Sequence, residues 1–282
     1  MKYDLKQLLH NADKRKYAIP AFNFSDCWDL KAIVEAAKEE NSPVIVASAK
    51  QVISTFSADY LGAICEIITN AADTPVIFHV DHSTDADLCI TMAKCGYPSV
   101  MIDGSLLKLD DNIAVTKKVV DHVKYLNVCV EAEIGRIRGR NDEACYKGQE
   151  FLGSVDDAVK LIQATGADSL AVGLGNAHGF YQGKPKLNFQ RLQEVNEAID
   201  IPLVLHGGTG IPPEDIMTAI KNGINKVNVG TELHYVYLKQ LAEQLDRNNI
   251  HPNIIEQMDM VVDAVKVPVK RWIRICMANG KA

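Results

Sequence analysis

The segment Val76-Ile77-Phe78-His79-Val80-Asp81-His82 runs from apolar side chains into two imidazoles and a carboxylate within its last four positions. Such groups bind metal ions or move protons. The residues that follow, Ser83-Thr84-Asp85-Ala86-Asp87, signal a helix start, with Thr84 as the expected cap and Asp87 three residues later. A buried strand opening onto a helix therefore presents this chemistry at its carboxyl end. Side chains alternate along a strand, so His79 and Asp81 share one face, and His82 can turn toward the same mouth. The bland alternative is a pair of satisfied histidines and a capping acid, and the clustering argues against it.

Two further histidines, His178 and His206, also follow apolar runs. With His82 they can converge as three neutral imidazoles on a Zn2+ ion and leave a coordination position open for substrate. His10, His122, His234 and His251 fall in helix-like or loop segments and are assigned to surface or packing roles. Glycines crowd the proposed ligands: Gly173, Gly175 and Gly179, then Gly207-Gly208-Thr209-Gly210. Their backbone N–H groups, with the hydroxyls of Thr209 and Thr231, suit a phosphate cradle; the alternative is tight turns that need positive φ.

Positioning these residues takes a regular scaffold. Apolar runs at Ala18–Phe24, Pro43–Ser48, Val76–His82, Ser99–Asp103, Val128–Ile134, Ser169–Leu174, Pro202–His206 and Lys226–Val229 read as strands covered on both faces. Helix-like periodicity follows each run, and Asp26 and Ser154 are expected caps. A helical tail, Ile254–Met277, is expected to be interrupted at Pro268. Eight alternations without a linker predict an α/β fold: one (β/α)8 TIM barrel spanning residues 1–282, with a C-terminal helical extension over about 247–282. An open doubly wound sheet is the other architecture, but no Gly-x-Gly-x-x-Gly follows the first strand. In a barrel the strand ends converge, bringing together Asp81, His82, Asp103, Glu133, Asn176, His178, His206 and Asn228.

The chain of 282 residues is 47% hydrophobic and 23% charged, enough to bury a large core. A net charge of −6 excludes a broad nucleic-acid footprint and points to small ligands. Seven scattered cysteines without a Cys-x-x-Cys pair suggest reduced, buried thiols. No apolar run approaches a membrane span, and the N-terminus lacks the apolar stretch of a signal peptide, so a cytoplasmic protein is expected.

Five motifs in order, His79-Val80-Asp81-His82, Val130-Glu131-Ala132-Glu133-Ile134-Gly135, Asn176-Ala177-His178-Gly179-Phe180-Tyr181, Leu205-His206-Gly207-Gly208-Thr209-Gly210-Ile211-Pro212 and Lys226-Val227-Asn228-Val229-Gly230-Thr231-Glu232, resemble class II, zinc-dependent ketose-bisphosphate aldolases. The resemblance covers nearly the whole chain. It implies one Zn2+ per subunit on His82, His178 and His206, which polarises a ketose carbonyl, with Asp103 and Glu133 as neighbouring or alternative metal positions. Asp81 becomes the acid/base and Asn228 a hydrogen-bond donor to the enediolate of dihydroxyacetone phosphate. Gly179, Gly207, Gly208, Thr209, Gly230 and Thr231 become the phosphate and substrate contacts. A monovalent cation near the phosphate, and a homodimer or homotetramer with the C-terminal tail reaching a neighbour, are further implications.

Departures from the family pattern concentrate on one half of the substrate. The mobile-loop Gly-Gly-x-Glu is Arg138-Gly139-Arg140-Asn141 here, and Asn141 cannot act as a base; Asp142 or Glu143 stands nearby as a substitute. The distal-phosphate Ser and Arg become Ala49 and Asn253, and Gln182 replaces a common Lys. Asn23, Lys50, Arg138 and Arg140 are then the candidate contacts for an altered distal group. The expected function is reversible cleavage of a ketose 1-phosphate or 1,6-bisphosphate to dihydroxyacetone phosphate and an aldehyde. The alternatives are a non-catalytic sugar-phosphate-binding or partner-stabilising subunit, and a metal-free phosphate-binding isomerase or synthase.

Overall fold

The computed structural model describes residues 2–137, 152–181, 183, 185–245 and 253–282. Arg138, Arg140, Asn141, Asp142, Glu143, Cys145, Gln182 and His251 lie outside the described residues. Eight parallel strands close into a barrel in sequence order: β1 (Ile19–Asn23), β2 (Val44–Ala49), β3 (Val76–Ser83), β4 (Ser99–Ile102), β5 (Cys129–Ile134), β6 (Ser169–Val172), β7 (Leu203–Leu205) and β8 (Ile224–Val229). The helices are α1 (Leu5–Lys14), α2 (Cys27–Glu39), α3 (Lys50–Phe56), α4 (Ala58–Ala71), α5 (Ala86–Lys94), α6 (Leu109–Val123), α7 (Val155–Thr165), α8 (Phe189–Ala198), α9 (Pro213–Lys221), α10 (Thr231–Gln244) and α11 (Ile254–Ile275). Among the described residues no single helix is long and apolar enough to cross a membrane.

The main core lies between strands and helices. Phe22, Val46, Phe78 and Val80 point outward from their strands into it, and Phe78 meets both Phe24 and Tyr97 edge-on. Alternate strand residues turn into the lumen, which is polar: His79, Asp81, Ser99, Glu131, Lys226 and Asn228 are all buried. Buried Ala21, Ala47 and Ala171 leave them room.

The local signals mostly hold. Asp26 caps α2, accepting from the backbone N–H of Trp28 and Asp29, while Asp29 returns the bond in a capping box. Ser154 caps α7 through the N–H of Asp157. Three expectations are corrected. Asp85, not Thr84, caps α5, because β3 runs on to Ser83 with a register slip after Val80. Two helices, α3 and α4, follow β2 instead of one. Pro268 does not interrupt the tail: α11 is one helix of 22 residues that runs through it. A helix-interior proline costs about 3 kcal/mol. Against it stand the buried Val261, Val262, Val265, Val269, Trp272 and Ile273, each contributing roughly 1.5–3 kcal/mol. α11 packs on its own barrel, with Arg274 bonded to Glu40, Lys266 to Glu35 and Trp272 Nε1 donating to Glu232 Oε2 at 2.7 Å.

Of the cysteines described, Cys65, Cys89, Cys129 and Cys276 are buried free thiols, whereas Cys27 is exposed. Burial pushes Cys65 up to about 12 and Cys89 up to about 11. They are packing groups, as expected of reduced thiols.

Asp26 also accepts from Tyr237 Oη at 2.6 Å, tying α2 to α10. Asp26→Ala is expected to lower unfolding stability by about 1–2 kcal/mol and Asp26→Asn by less than half of that, since asparagine keeps the capping oxygen. Urea denaturation checks this, and equal losses would show that the negative charge matters rather than the cap.

Candidate active site

Three imidazoles meet where the structure opens at the carboxyl ends of the strands. His82 leaves β3 with φ +48, a left-handed conformation that turns its ring inward over the lumen. Its Nε2 lies 2.7 Å from His206 Nδ1, and ring centroids are 4.6 Å apart for His82 and His178 and 4.4 Å for His82 and His206. One nitrogen from each of the three can be chosen so that all lie within 4.8 Å of one another. His82, Asp103 and Glu133 form a second group that meets the same test.

Backbone clamps hold the rings. Asn176, fully buried, accepts from Leu174 N–H at 2.8 Å and donates to the His206 carbonyl at 2.9 Å. Tyr181 Oη accepts from Ala177 N–H and donates to the Gly207 carbonyl. This brings the β6 and β7 ends so close that a Cβ on Gly207 (φ +65) would sit 2.1 Å from the Ala177 carbonyl oxygen. Only glycine fits there.

Beside the imidazoles, Asp81 accepts from Asn23 Nδ2 at 2.8 Å and from Asn228 Nδ2 at 3.0 Å. Burial works against its charge, but His82, His206 and Lys226 hold the carboxyl well below the usual range. Asp103 accepts from the Ser105 backbone and hydroxyl and lies 3.3 Å from His82 Nδ1; despite burial, these partners pull it down to about 2. Burial, with the Asp103 charge next to it, pushes Glu133 well above its ordinary value, and its Oε2 has no hydrogen-bond partner.

These carboxylates set the state of the histidines. Burial disfavours a charge on His82, yet Asp81, Asp103 and Glu133 together push it up to about 10. The proton it carries reaches His206 Nδ1, where it stands in for a cation. Burial and the His82 charge hold His178 down to about 3 and keep His206 low as well. Two neutral imidazoles and one cationic imidazole, with an unpartnered carboxyl oxygen beside them, fit a divalent metal ion that takes the place of the His82 proton.

A cavity of about 250 Å3 joins this cluster to the glycine turns. Gly179, Gly207, Thr209, Gly230 and Thr231 line it together with Asn23, Asp81, His82, His178, His206 and Asn228. Gly230 lets Asn23 approach, since a Cβ there would lie 2.6 Å from Asn23 Oδ1. Three larger hollows, of about 320, 500 and 550 Å3, lie elsewhere, and His10, on the wall of the first, is the one histidine among their lining residues. Chemistry, not size, therefore selects the smaller one.

Two of the candidate contacts are not brought into the lining of this cavity. The Gly208 N–H donates to the Asn228 carbonyl at 2.9 Å, so it is spent on the junction of β7 and β8 and not free for phosphate. Lys50 is exposed at the start of α3 and does not line the cavity. His234, assigned from sequence to a surface or packing role, instead reaches the cavity wall, 3.3 Å from Ser25 Oγ. Its place in the first turn of α10, just after Thr231, is the signal that could have located it. Glu131 and Lys226 also escaped sequence reasoning, although both are buried in the lumen beneath His206.

The profile of the family described as Fructose-bisphosphate aldolase class-II matches residues 3–281. The 6-phospho-5-dehydro-2-deoxy-D-gluconate aldolase of Bacillus licheniformis is 37% identical over 289 aligned positions, covering 99% of this chain and 96% of the relative. The crystal structure of the YdjI aldolase from Escherichia coli K12 superposes with a TM-score of 0.87 at 31% identity, covering 100% of both chains. Fructose-bisphosphate aldolase from Campylobacter jejuni, at 20% identity and a TM-score of 0.80 over 99% of this chain and 95% of its own, shares the fold. With a family match across almost its whole length and a curated relative at this identity, the chain belongs to the class-II fructose-bisphosphate aldolase family.

Proposed function

We propose that the chain is a zinc-dependent aldolase that reversibly cleaves a ketose phosphate to dihydroxyacetone phosphate and an aldehyde, with an aldehyde half other than glyceraldehyde 3-phosphate. The observation that carries this reading is the single cavity in which three imidazoles, an ionised Asp81 and the glycine and threonine turns all face one another. His82, His178 and His206 would hold the metal, which supplies Lewis-acid polarisation of the ketone carbonyl. Gly179, Gly207, Thr209, Gly230 and Thr231 would seat the phosphate on the adjoining carbon.

Asp81, held by two asparagine N–H groups, accepts the proton of the hydroxyl whose carbon becomes the aldehyde. The carbon-carbon bond breaks, and its electron pair passes to the carbon next to the ketone. Asn228 directs one N–H to Asp81 and the other toward His206 Nδ1 at 3.2 Å. That second N–H donates to the substrate oxygen once His206 is otherwise engaged. Protonation of the new carbon falls to Asp142 or Glu143.

For the distal half, the name of the Bacillus licheniformis relative supplies the chemistry. A 6-phospho-5-dehydro sugar acid carries phosphate beside its ketone, as a ketose 1-phosphate does, and a carboxylate at the far end. We extend that substrate class to this chain, where Ala49 and Asn253 stand at the positions expected to read a distal phosphate. Arg138 and Arg140 are the candidate partners of the carboxylate.

Release of dihydroxyacetone phosphate from ketose 1-phosphates, 1,6-bisphosphates and phosphorylated keto sugar acids should vanish on chelation and return with Zn2+, with the sugar acids cleaved fastest. Full activity of the stripped protein would sink the metal reading, and preference for bisphosphates the distal one. Asp81→Asn should lower kcat by about 10^2–10^4 while leaving Zn2+ affinity near wild type. A variant with unchanged kcat would remove Asp81 from the reaction.

The metal must displace the His82 proton, which the apo site retains up to about pH 10. Apparent Zn2+ affinity should therefore rise by about tenfold per pH unit from pH 6 to 8, measured by chelator competition. A flat profile would show that His82 is already neutral.

A further inference from the structure

The barrel lumen holds a fully buried cation, Lys226, that none of the proposed steps uses. An ammonium only donates, and Lys226 Nζ directs hydrogens to Glu131 Oε2 at 2.6 Å and to His79 Nε2 at 3.0 Å. His79 therefore accepts at Nε2, carries its own proton on Nδ1 and donates to Ser99 Oγ at 2.7 Å. β3, β5 and β8 are not neighbours in the barrel, so these bonds cross its interior.

The other oxygen of Glu131, Oε1, lies 2.8 Å from His206 Nε2. A carboxylate only accepts, so His206 Nε2 carries the proton and Nδ1 is bare. The Asn228 NH2, which can only donate, approaches that bare nitrogen at 3.2 Å, and His82 Nε2 lies 2.7 Å from it. Both ends of the ring give the same tautomer.

We propose that Lys226 is a positioning residue: by occupying Glu131 Oε2 it reserves Oε1 for His206 Nε2–H, and so fixes the tautomer that turns a bare Nδ1 toward the metal. This rests on the metal-binding part of the proposed function. The device is a two-oxygen sorter in which one oxygen serves the ammonium and the other the imidazole. A single carboxylate thereby couples a residue in the barrel floor to a ligand at its mouth.

Glu131→Gln separates this from a merely structural ion pair. The amide offers one acceptor and one donor, Lys226 claims the acceptor, and the NH2 group then faces His206 Nε2. The ring is forced to protonate at Nδ1. Zn2+ affinity, read by chelator competition, should fall roughly 100-fold, and 15N spectra of histidine-labelled protein should show the His206 tautomer reversed. Adding Lys226→Met frees the amide oxygen to turn to His206, so the double variant should regain the original tautomer and bind Zn2+ within about tenfold of wild type.

A double variant as impaired as Glu131→Gln or worse overturns the proposal, as does a wild-type His206 protonated at Nδ1. If Glu131→Gln does not fold, the double variant, which leaves no unpaired buried ion, and the wild-type spectrum still decide. Wild-type protein that binds no Zn2+ while showing the Nε2–H tautomer overturns the metal reading and leaves the sorting of Glu131 oxygens in place.

Discussion

A charge buried inside a barrel must be answered by another charge, and the polar lumen of this protein is organised by that requirement. Glu131 is 1% exposed and Lys226 is fully buried, so neither is solvated by water. Each is satisfied by the other, and their remaining hydrogen-bonding capacity goes to His79 and His206. The same logic repeats at the mouth, where Asp81 and Asp103 are answered by His82. Removing one member would leave its partner buried and uncompensated, a loss typically of about 3–5 kcal/mol. These mutual bonds fix where the lumen side chains sit, which is what three convergent imidazoles need.

Much of the scaffold was legible because parallel strands covered on both faces leave a one-dimensional trace. Val44-Ile45-Val46 and Val100-Met101-Ile102 are apolar without alternation, and Asp26 and Ser154 stand where the following helices need oxygen acceptors. The convergence of three histidines was legible for a related reason: His82, His178 and His206 fall at or just past the ends of such runs, and a closed barrel gathers those positions at one face. What could not be read is set by contacts between distant strands. Lys226 looks like an ordinary strand residue until the closed barrel places it against Glu131, 95 positions earlier in the chain. Gly208 resembles its neighbours in sequence, but pairing of β7 with β8 takes its N–H. Pro268 reads as a helix break, and only the apolar face of α11, packed along α2 and α10, explains why it is not one.

Metal-type ligands and the proposed phosphate cradle arise from the same two turns. His206 is followed by Gly207 and Thr209, and Asn228 by Gly230 and Thr231, so the imidazole and amide proposed to act on the ketone sit within three residues of the groups proposed to seat the phosphate. Neighbouring positions on rigid strand ends can match neighbouring carbons of a substrate. Asn176 and Tyr181, which follow β6, bond to the carbonyls of His206 and Gly207, so the turn that carries His178 is tied to the one that carries His206.

That arrangement divides the site into halves held by different means. Head-group contacts come from strand ends locked by barrel pairing and the buried charges below. Asn253 lies outside that lock, capping α11 with its own side chain, whereas Ala49 is the last residue of β2, in register with Asp81 and next to the exposed start of α3. A substitution at Asn253 touches no lumen charge and no strand register. A sequence can therefore change what it reads at the far end of a substrate while His82, His206, Asp81 and Asn228 keep their positions, because the constraint on those four is the electrostatic balance of the barrel interior and not the identity of the distal group.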